Sequence, residues 1–393
     1  MIDRDGAISM KMRLTIFLVI FLSSLPMRAD VPDDPVGQVK TLPQKYPDHW
    51  VLAYDVAFDH MSDGKVIVLD AEEEKQKAQH KGMFNAAIIA SIAVARTRPE
   101  IYVYETFYTR GNRGDRTDVL TIYDKVSLSS TGEIVIPGAK RAGGLPSDYM
   151  IHLIDDEKLL LLFNFTPAAS VSVLDIVNRK ILNEISLPSC SLIYPTGKRG
   201  FSSMCSDASI ISYQLDKKGK VKNKRKSDSF FDIDKDALFE RAVIIDGVGY
   251  FPTFNGNLRE IDLRGDSAKP GASWSLVSEE ERAANWRPGG MQLSSADAPG
   301  NMYLLMHKDG AEGTHKNPGT EVWVFNVKNK KRINRIPLQL PGLALRVSQD
   351  QSPYLFVTNI EMNIDVYEAK TGTYIRTLSD FGQETPFMLF SAN

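Results

Sequence analysis

From residue 50 to the end of the chain, apolar residues alternate with polar ones or form short continuous runs. This pattern predicts β-strands, and convincing patterns for long helices are scarce. One unit recurs seven times: an apolar strand that ends near an acidic residue or an asparagine, then a polar turn and a second strand. The first strands of these units are residues 65–70, 119–124, 171–175, 211–216, 258–262, 322–326 and 364–368. They are spaced roughly 50 residues apart, within the range of propeller repeats.

These repeats favour a closed ring. One unit cannot bury both faces of its sheet, so neighbouring units must stack around an axis. Residues 50–54 form a further strand before the first repeat, which would let the two ends of the chain complete one blade together. The sequence therefore predicts an all-β fold, a seven-bladed β-propeller, with residues 30–393 as a single domain. An open β-solenoid or a two-sandwich protein is the structural alternative.

Two charged segments interrupt the strand pattern, and a third charged run lies within it. Residues 71–80 are helix-prone, and residues 278–286 predict a short helix with a serine cap. Both are expected between strands, where binding loops are found. Residues 217–226 concentrate lysine and arginine at a predicted hairpin tip. This tip is interpreted as simply solvated, and attraction of an acidic partner is the alternative.

The beginning of the chain has the parts of an export signal. Residues 10–13 contain two basic side chains, residues 14–22 are apolar apart from one threonine, and small residues occur before Asp30. The apolar run is shorter than the roughly 20 residues that a membrane-spanning helix needs. We therefore expect residues 1–29 to be a signal peptide, with Met10 or Met12 as alternative start sites, and the mature protein to be exported. An uncleaved membrane anchor is the alternative.

Because the protein is expected to be exported, its two cysteines are candidates for a disulfide bond. Cys190 and Cys205 flank a segment that has Gly197 and Lys198 at its midpoint. A hairpin turn at that point would make the two thiols cross-strand partners, and an oxidising compartment would close them into a disulfide. Two unrelated free thiols are the alternative.

Composition excludes several classes of function. The 393 residues include 47 Lys and Arg against 49 Asp and Glu, which gives a formal charge of −2. A near-neutral chain of this size is not built to coat nucleic acid or to lie on anionic lipid, so neither partner is expected. No metal-binding, nucleophile or phosphate-loop motif occurs, and His307 and His315 lack further ligands nearby in the sequence. No catalytic, cofactor-binding or metal-binding residue is therefore expected in this chain.

Several segments, in order along most of the mature chain, resemble one known family. They are residues 113–118 (Arg-Gly-Asp-Arg-Thr-Asp), 165–169 (Phe-Thr-Pro-Ala-Ala), 285–290 (Asn-Trp-Arg-Pro-Gly-Gly), 301–316 and 321–325, together with the Cys190/Cys205 hairpin. The chain resembles the large, or heavy, subunit of the quinoprotein amine dehydrogenases. It is closer to the aromatic amine dehydrogenase type than to the related methylamine type.

The resemblance implies a seven-bladed propeller in the bacterial periplasm, in an assembly of two large and two small subunits. The disulfide-rich small subunit would carry tryptophan tryptophylquinone and the catalytic base. The enzyme would oxidise a primary amine to an aldehyde and ammonia and pass electrons to a blue copper protein of the azurin or amicyanin type. This chain would scaffold the small subunit, through a docking surface expected to include Trp286, Arg287, His307 and His315. The alternative is that the segments around these residues are retained for blade geometry.

One stretch departs from the family pattern. In the methylamine type, a shorter connection contains a phenylalanine that borders the substrate channel, whereas residues 71–80 are here a charged insertion without an aromatic residue. The preferred amine is therefore open. A stand-alone exported propeller that acts as a protein-interaction module is the alternative function. A calcium-dependent propeller hydrolase is a third, which would need several inward-facing acidic ligands.

Overall fold

The computed structural model describes residues 41–144, 146–382 and 384–392, so the expected signal peptide at residues 1–29 lies outside the described residues. The first strands of the described residues are β1 (Trp50–Asp55), β2 (Lys65–Asp70) and β3 (His80–Asn85). Four sheets of four consecutive strands follow. They contain β4 (Ser91–Val94), β5 (Glu100–Tyr108), β6 (Arg116–Asp124) and β7 (Ser130–Ile136); β8 (Ile151–Ile154), β9 (Leu159–Asn164), β10 (Ser170–Asp175) and β11 (Lys180–Ser186); β12 (Cys190–Pro195), β13 (Gly200–Cys205), β14 (Ile210–Leu215) and β15 (Val221–Lys226); and β16 (Val243–Ile245), β17 (Val248–Pro252), β18 (Asn257–Asp262) and β19 (Lys269–Ser275).

The next eight strands form one continuous sheet. They are β20 (Arg287–Pro288), β21 (Ser294–Ala296), β22 (Asn301–His307), β23 (Gly319–Asn326), β24 (Lys331–Val347), β25 (Tyr354–Asn359), β26 (Ile364–Glu368) and β27 (Tyr374–Leu378). The last strand, β28 (Pro386–Ser391), returns to the beginning of the chain and pairs with β1.

The structure is an all-β propeller, but the prediction of seven separate blades is wrong. Within the described part of the chain, five separate four-stranded blades form, and the remaining strands make up the eight-stranded sheet. The cause is β24, which runs for 17 residues without a break. Its first part pairs with β23 and its second part pairs with β25, so that no gap divides this sheet. The seven repeats are all strands, but the last two, in β23 and β26, share this one sheet.

The two ends of the chain close the ring, as the sequence predicts. β28 pairs antiparallel with β1, and Ala53 lies opposite Leu389 in the register. Every residue of β1 is buried. Apolar side chains also pack between neighbouring sheets: Val51 and Ile67 of the first blade share a buried cluster with Phe356 and Ile364 of the eight-stranded sheet. Burial of apolar area between sheets is therefore what holds the blades together.

Among the residues that the structure describes, helices are few and short. They are α1 (Gln76–Gln79) and α2 (Glu279–Ala283), with 3₁₀ turns at Phe58–Asp63, Asp148–Met150 and Thr314–Lys316. The Ser278 side chain caps α2 and accepts from the Glu281 N–H, which confirms the predicted serine cap. No helix in the described part of the chain is long and apolar enough to cross a membrane.

The charged segment at residues 71–80 packs against the outermost strand of the eight-stranded sheet. Only Gln76–Gln79 is helical. The Arg376 guanidinium on β27 donates to the Glu73 carbonyl at 2.6 Å, and the Gln76 amide donates to the Asp380 carboxylate at 2.5 Å. The lysine-rich segment at residues 217–226 forms a turn and the outermost strand β15, whose side chains are largely exposed.

The connections at one end of the blades form a surface that we call the upper face. It comprises the loops that lead into the first strand of each blade and the loops between second and third strands. The leading loops of neighbouring blades are hydrogen-bonded to one another. The Arg141 guanidinium donates to the Ile89 carbonyl at 2.7 Å, and the Arg241 guanidinium donates to the Gly290 carbonyl at 3.2 Å. The upper face is thus a connected layer that carries residues 285–290 and 308–318.

Candidate functional site

The structure brings together the two segments that the sequence singles out for docking. β20 pairs with the end of β22, so that Arg287 lies opposite His307. Beyond the strands, the Gly310 N–H donates to the Asn285 carbonyl at 2.9 Å. Residues 285–290 and 307–315, which are separate in sequence, therefore form one patch on the upper face.

His307 supports this patch from below. Its side chain is buried, Nδ1 lies 3.3 Å from the Lys308 carbonyl, and Nε2 has no hydrogen-bond partner among the described residues. Burial lowers the pKa of the imidazole, which favours the neutral ring. A Cβ on Gly289 would lie 2.7 Å from the His307 ring, so only glycine fits there without a shift. His307 is placed to hold the loop rather than to contact a partner.

Arg287 and His315 lie higher in the patch. The Arg287 guanidinium stacks over the Phe254 ring with 4.4 Å to the centroid. Gly310 allows this approach, because a Cβ there would lie 2.5 Å from the Arg287 side chain. His315 is exposed at the end of the loop. These two residues, unlike His307, are accessible to a partner.

Arg287 and His315 line an open cleft of about 620 Å³. Its apolar wall includes Phe239 and Phe254, and its polar lining includes Glu240 and Glu312. A neighbouring cleft of about 330 Å³ shares Phe239, Glu240 and His315. Together they make a groove with aromatic walls and charged groups, which is suited to receive side chains of another protein chain. No sequence motif points to Phe239 or Glu240, which lie in the long connection between β15 and β16.

Trp286 is held by internal packing. Its ring centroid lies 5.1 Å from that of Trp323, and the Arg335 guanidinium lies 5.0 Å from the Trp286 centroid. Arg335 also pairs with Glu321 at 2.7 Å and with Glu281 at 3.1 Å. This cluster fixes α2 to β23 and β24. Trp286 therefore sets the position of residues 287–290 beside it.

The disulfide prediction is confirmed. Cys190 and Cys205 are bonded, and they lie opposite each other in the register of β12 and β13. The bond ties the upper ends of these two strands together. Among the described residues, no group of three or more His, Cys, Asp or Glu side chains is arranged to hold a metal ion.

Comparison with known proteins identifies the family. Residues 51–392 match the family described as methylamine dehydrogenase heavy chain. The chain is 27% identical over 315 residues to the methylamine dehydrogenase heavy chain of Methylophilus methylotrophus, covering 79% of this chain and 77% of that one. It is 29% identical over 281 residues to the heavy chain of Paracoccus versutus, covering 71% of this chain and 65% of that one.

Similar solved structures support the fold alone, because their sequence identity is low. One is dihydro-heme d1 dehydrogenase NirN in complex with DHE, with a TM-score of 0.54, 15% identity, and coverage of 88% of this chain and 66% of that one. Another is the Cps50 (Swd1) β-propeller domain of Myceliophteria thermophila, with a TM-score of 0.53, 8% identity, and coverage of 84% and 98%. Because the family match extends over nearly all of the described residues, the chain belongs to the methylamine dehydrogenase heavy chain family.

Proposed function

We propose that this chain is the large subunit of a periplasmic amine dehydrogenase that oxidises primary amines to aldehydes and ammonia. The observation that carries the proposal is the match to the heavy chain family over residues 51–392. The groove on the upper face supports it, because a scaffolding subunit needs an accessible surface with aromatic walls and a polar rim. In this role the chain contributes shape and contacts, and its partner contributes the redox chemistry.

The proposed partner is a small, disulfide-rich subunit that carries tryptophan tryptophylquinone, in an assembly of two large and two small subunits. The quinone, when present, would accept two electrons from the amine. Of the docking residues expected from the sequence, Arg287 and His315 would contact this subunit, while Trp286 and His307 would keep their loops in position. No residue of this chain is given a catalytic role.

Two finer features of the proposal depend on the resemblance to the aromatic amine type. The preferred substrate would be an aromatic primary amine, and the electron acceptor would be a blue copper protein of the azurin or amicyanin type. The run at residues 301–316 carries that resemblance. The segment at residues 71–80 connects the third and fourth strands of its blade and is therefore not part of the upper face, so we assign the choice of amine to the residues of the groove and of the small subunit.

The periplasmic location is proposed from two features. The first is the signal-like pattern at residues 1–29. The second is the Cys190–Cys205 disulfide, a bond typical of oxidising compartments.

The test is to tag the full-length protein in its native host and isolate it from the periplasm. Whatever co-purifies is characterised by its visible absorption spectrum and by intact mass. We expect a small disulfide-rich chain with a quinone chromophore that is bleached by an added amine, and phenylethylamine should be oxidised with a higher kcat/KM than methylamine.

Other outcomes would contradict parts of the proposal. A preference for methylamine would overturn the aromatic specificity and leave the subunit assignment in place. A colourless chain without a partner, from cells grown on several amines, would favour the stand-alone interaction propeller. Recovery of the protein in the cytoplasm with an intact N-terminus would overturn the periplasmic location.

A further inference from the structure

The loop that leads into β4 has an unusual backbone. Ile88 has a φ of 54° and Ile89 has a φ of 52°, in the left-handed region. Among the described residues other than glycine with a left-handed backbone, these two are the only β-branched ones. The left-handed conformation is sterically costly for a β-branched side chain, and two such residues in succession require strong support from their surroundings.

Buried polar groups supply that support. The Arg141 side chain is 2% exposed, and its guanidinium donates to the carbonyls of both Ile88 and Ile89. The Ile88 N–H donates to the Met61 carbonyl at 2.6 Å, and the Ala87 N–H donates to the buried Glu105 carboxylate at 2.7 Å. The turn is therefore fixed by three separate parts of the chain.

The two isoleucines differ in what their side chains do. Ile89 is buried and belongs to the core of the first two blades, so packing accounts for its conformation. Ile88 is only partly buried, and both its N–H and its carbonyl are used inside the molecule. Its side chain is thus the part that remains available for contact with a partner, beside the exposed side chain of Met61.

We propose that Ile88 is a docking contact for the small subunit, held in a strained conformation so that its side chain inserts into an apolar pocket of that partner. The partner follows from position. The turn lies on the upper face, and Arg141 links it to the loop that leads into β8, whose Ser147 lines the part of the groove that also contains His315. Strain that persists only because its surroundings enforce it is typical of binding sites. This inference rests on the proposed function.

Two substitutions separate docking from folding. In Ile88→Gly the side chain is removed and the left-handed backbone becomes unstrained, so the free chain should be as stable as the wild type or melt at a higher temperature. Affinity for the small subunit should nevertheless fall about tenfold, because a buried apolar anchor is lost. Ile88→Val retains the β-branched shape and should bind nearly as tightly as the wild type. Ile333→Ala is the matched control, since Ile333 is an exposed isoleucine on β24.

The measurement is the dissociation constant between the full-length chain and the purified small subunit, with the thermal midpoint of each free variant measured in parallel. Weaker docking by Ile88→Gly at equal or higher stability, with Ile333→Ala unchanged, supports the proposal. Equal dissociation constants for the wild type and Ile88→Gly overturn it. It is also overturned if Ile88→Gly changes the self-association of this chain and leaves its affinity for the small subunit unchanged. If the wild-type chain itself binds no small subunit, the proposed function fails first, which is a distinguishable result.

Discussion

At the scale of single residues, His152 shows how burial inside the propeller changes the pKa of a titratable group. It lies on β8 in an open cleft that is also lined by residues of β4, β16 and β21, and its Nε2 is buried without a hydrogen-bond partner in the described structure. Burial lowers the pKa of the imidazole to about 4, and the neighbouring Asp148 carboxylate only partly opposes this shift. The native protein therefore keeps His152 neutral at pH values where the unfolded chain binds a proton.

This difference predicts a loss of stability in mild acid. Because the unfolded state binds more protons between the usual pKa of about 6.5 and the native pKa, stability falls as the pH is lowered through that range. The free energy of unfolding of the wild type should fall by about 2–3 kcal/mol more than that of His152→Gln between pH 7 and pH 4.5. Urea unfolding at both pH values measures it.

Ile333→Ala, a substitution at an exposed residue that carries no titratable group, is the control for this measurement and should follow the wild-type pH dependence. If the free energy of unfolding depended equally on pH in the wild type and in His152→Gln, the imidazole of His152 would be solvated in the native protein.

Residue-scale features of the upper face were only partly predictable. The sequence points to Arg287 and His315 through a family resemblance, and both line the groove. Nothing in the sequence pattern indicates that Ile88 adopts a left-handed backbone, because the cause is Arg141, which is 53 positions away. Phe239 and Phe254 line the same cleft, and this likewise depends on how the connection between β15 and β16 folds back. Such features arise from long-range contacts that local patterning does not encode.

At the scale of secondary-structure elements, the disulfide closes the hairpin of β12 and β13. The bonded residues are 15 positions apart. In the chain-entropy account, a loop of that size stabilises the fold by about 3 kcal/mol. We therefore expect the double variant Cys190→Ala/Cys205→Ala to unfold with a free energy about 3 kcal/mol lower than that of the wild type, as measured by guanidinium unfolding.

Reduction provides the control for the disulfide prediction. Wild-type protein in excess reductant should move to the midpoint of the double variant, whereas the double variant should not respond to reductant. An unchanged midpoint in the double variant would mean that the strand pairing alone fixes this hairpin.

The hydrophobic pattern predicts individual strands better than it predicts sheets. All seven repeat strands exist, since each alternates or is continuously apolar over five or six residues. The division into blades depends on whether a strand ends. β24 contains Pro337, Pro341 and Gly342, residues that usually mark the end of a strand, yet it continues because partners lie on both sides of it. Pairing between distant strands thus overrides the local turn signal.

At the scale of the whole molecule, closure depends on the last strand. β28 supplies β1 with its only partner on that side within the described residues. The Leu389 N–H donates to the side-chain oxygen of Gln292, and the Leu389 carbonyl accepts from the side-chain nitrogen of Gln292. The Arg346 guanidinium donates to the same carbonyl at 2.7 Å. β28 therefore hydrogen-bonds on one side to β1 and through Leu389 to residues of the eight-stranded sheet.

Removal of residues 386–393 should open the ring. It would expose the fully buried strand β1 as a sheet edge, and unpaired edges promote aggregation and lower cooperativity. We expect the shortened chain to unfold at a much lower urea concentration, with a broader transition, and to elute partly as aggregates in size-exclusion chromatography. A synthetic peptide of residues 386–392, added in excess, should restore the sharp transition, because it can pair with β1 as an added strand.

The point variant Leu389→Ala tests the same closure without a free edge. Leu389 is fully buried, so the truncation should lower the free energy of unfolding by about 2–5 kcal/mol while the transition stays cooperative. If the shortened chain unfolded at the wild-type midpoint, or if the peptide had no effect, the ring would owe its stability to packing between neighbouring sheets and not to the pairing of its two ends. Rescue by the peptide would show that the terminal strand acts through its pairing with β1, since the peptide carries no covalent link to the eight-stranded sheet.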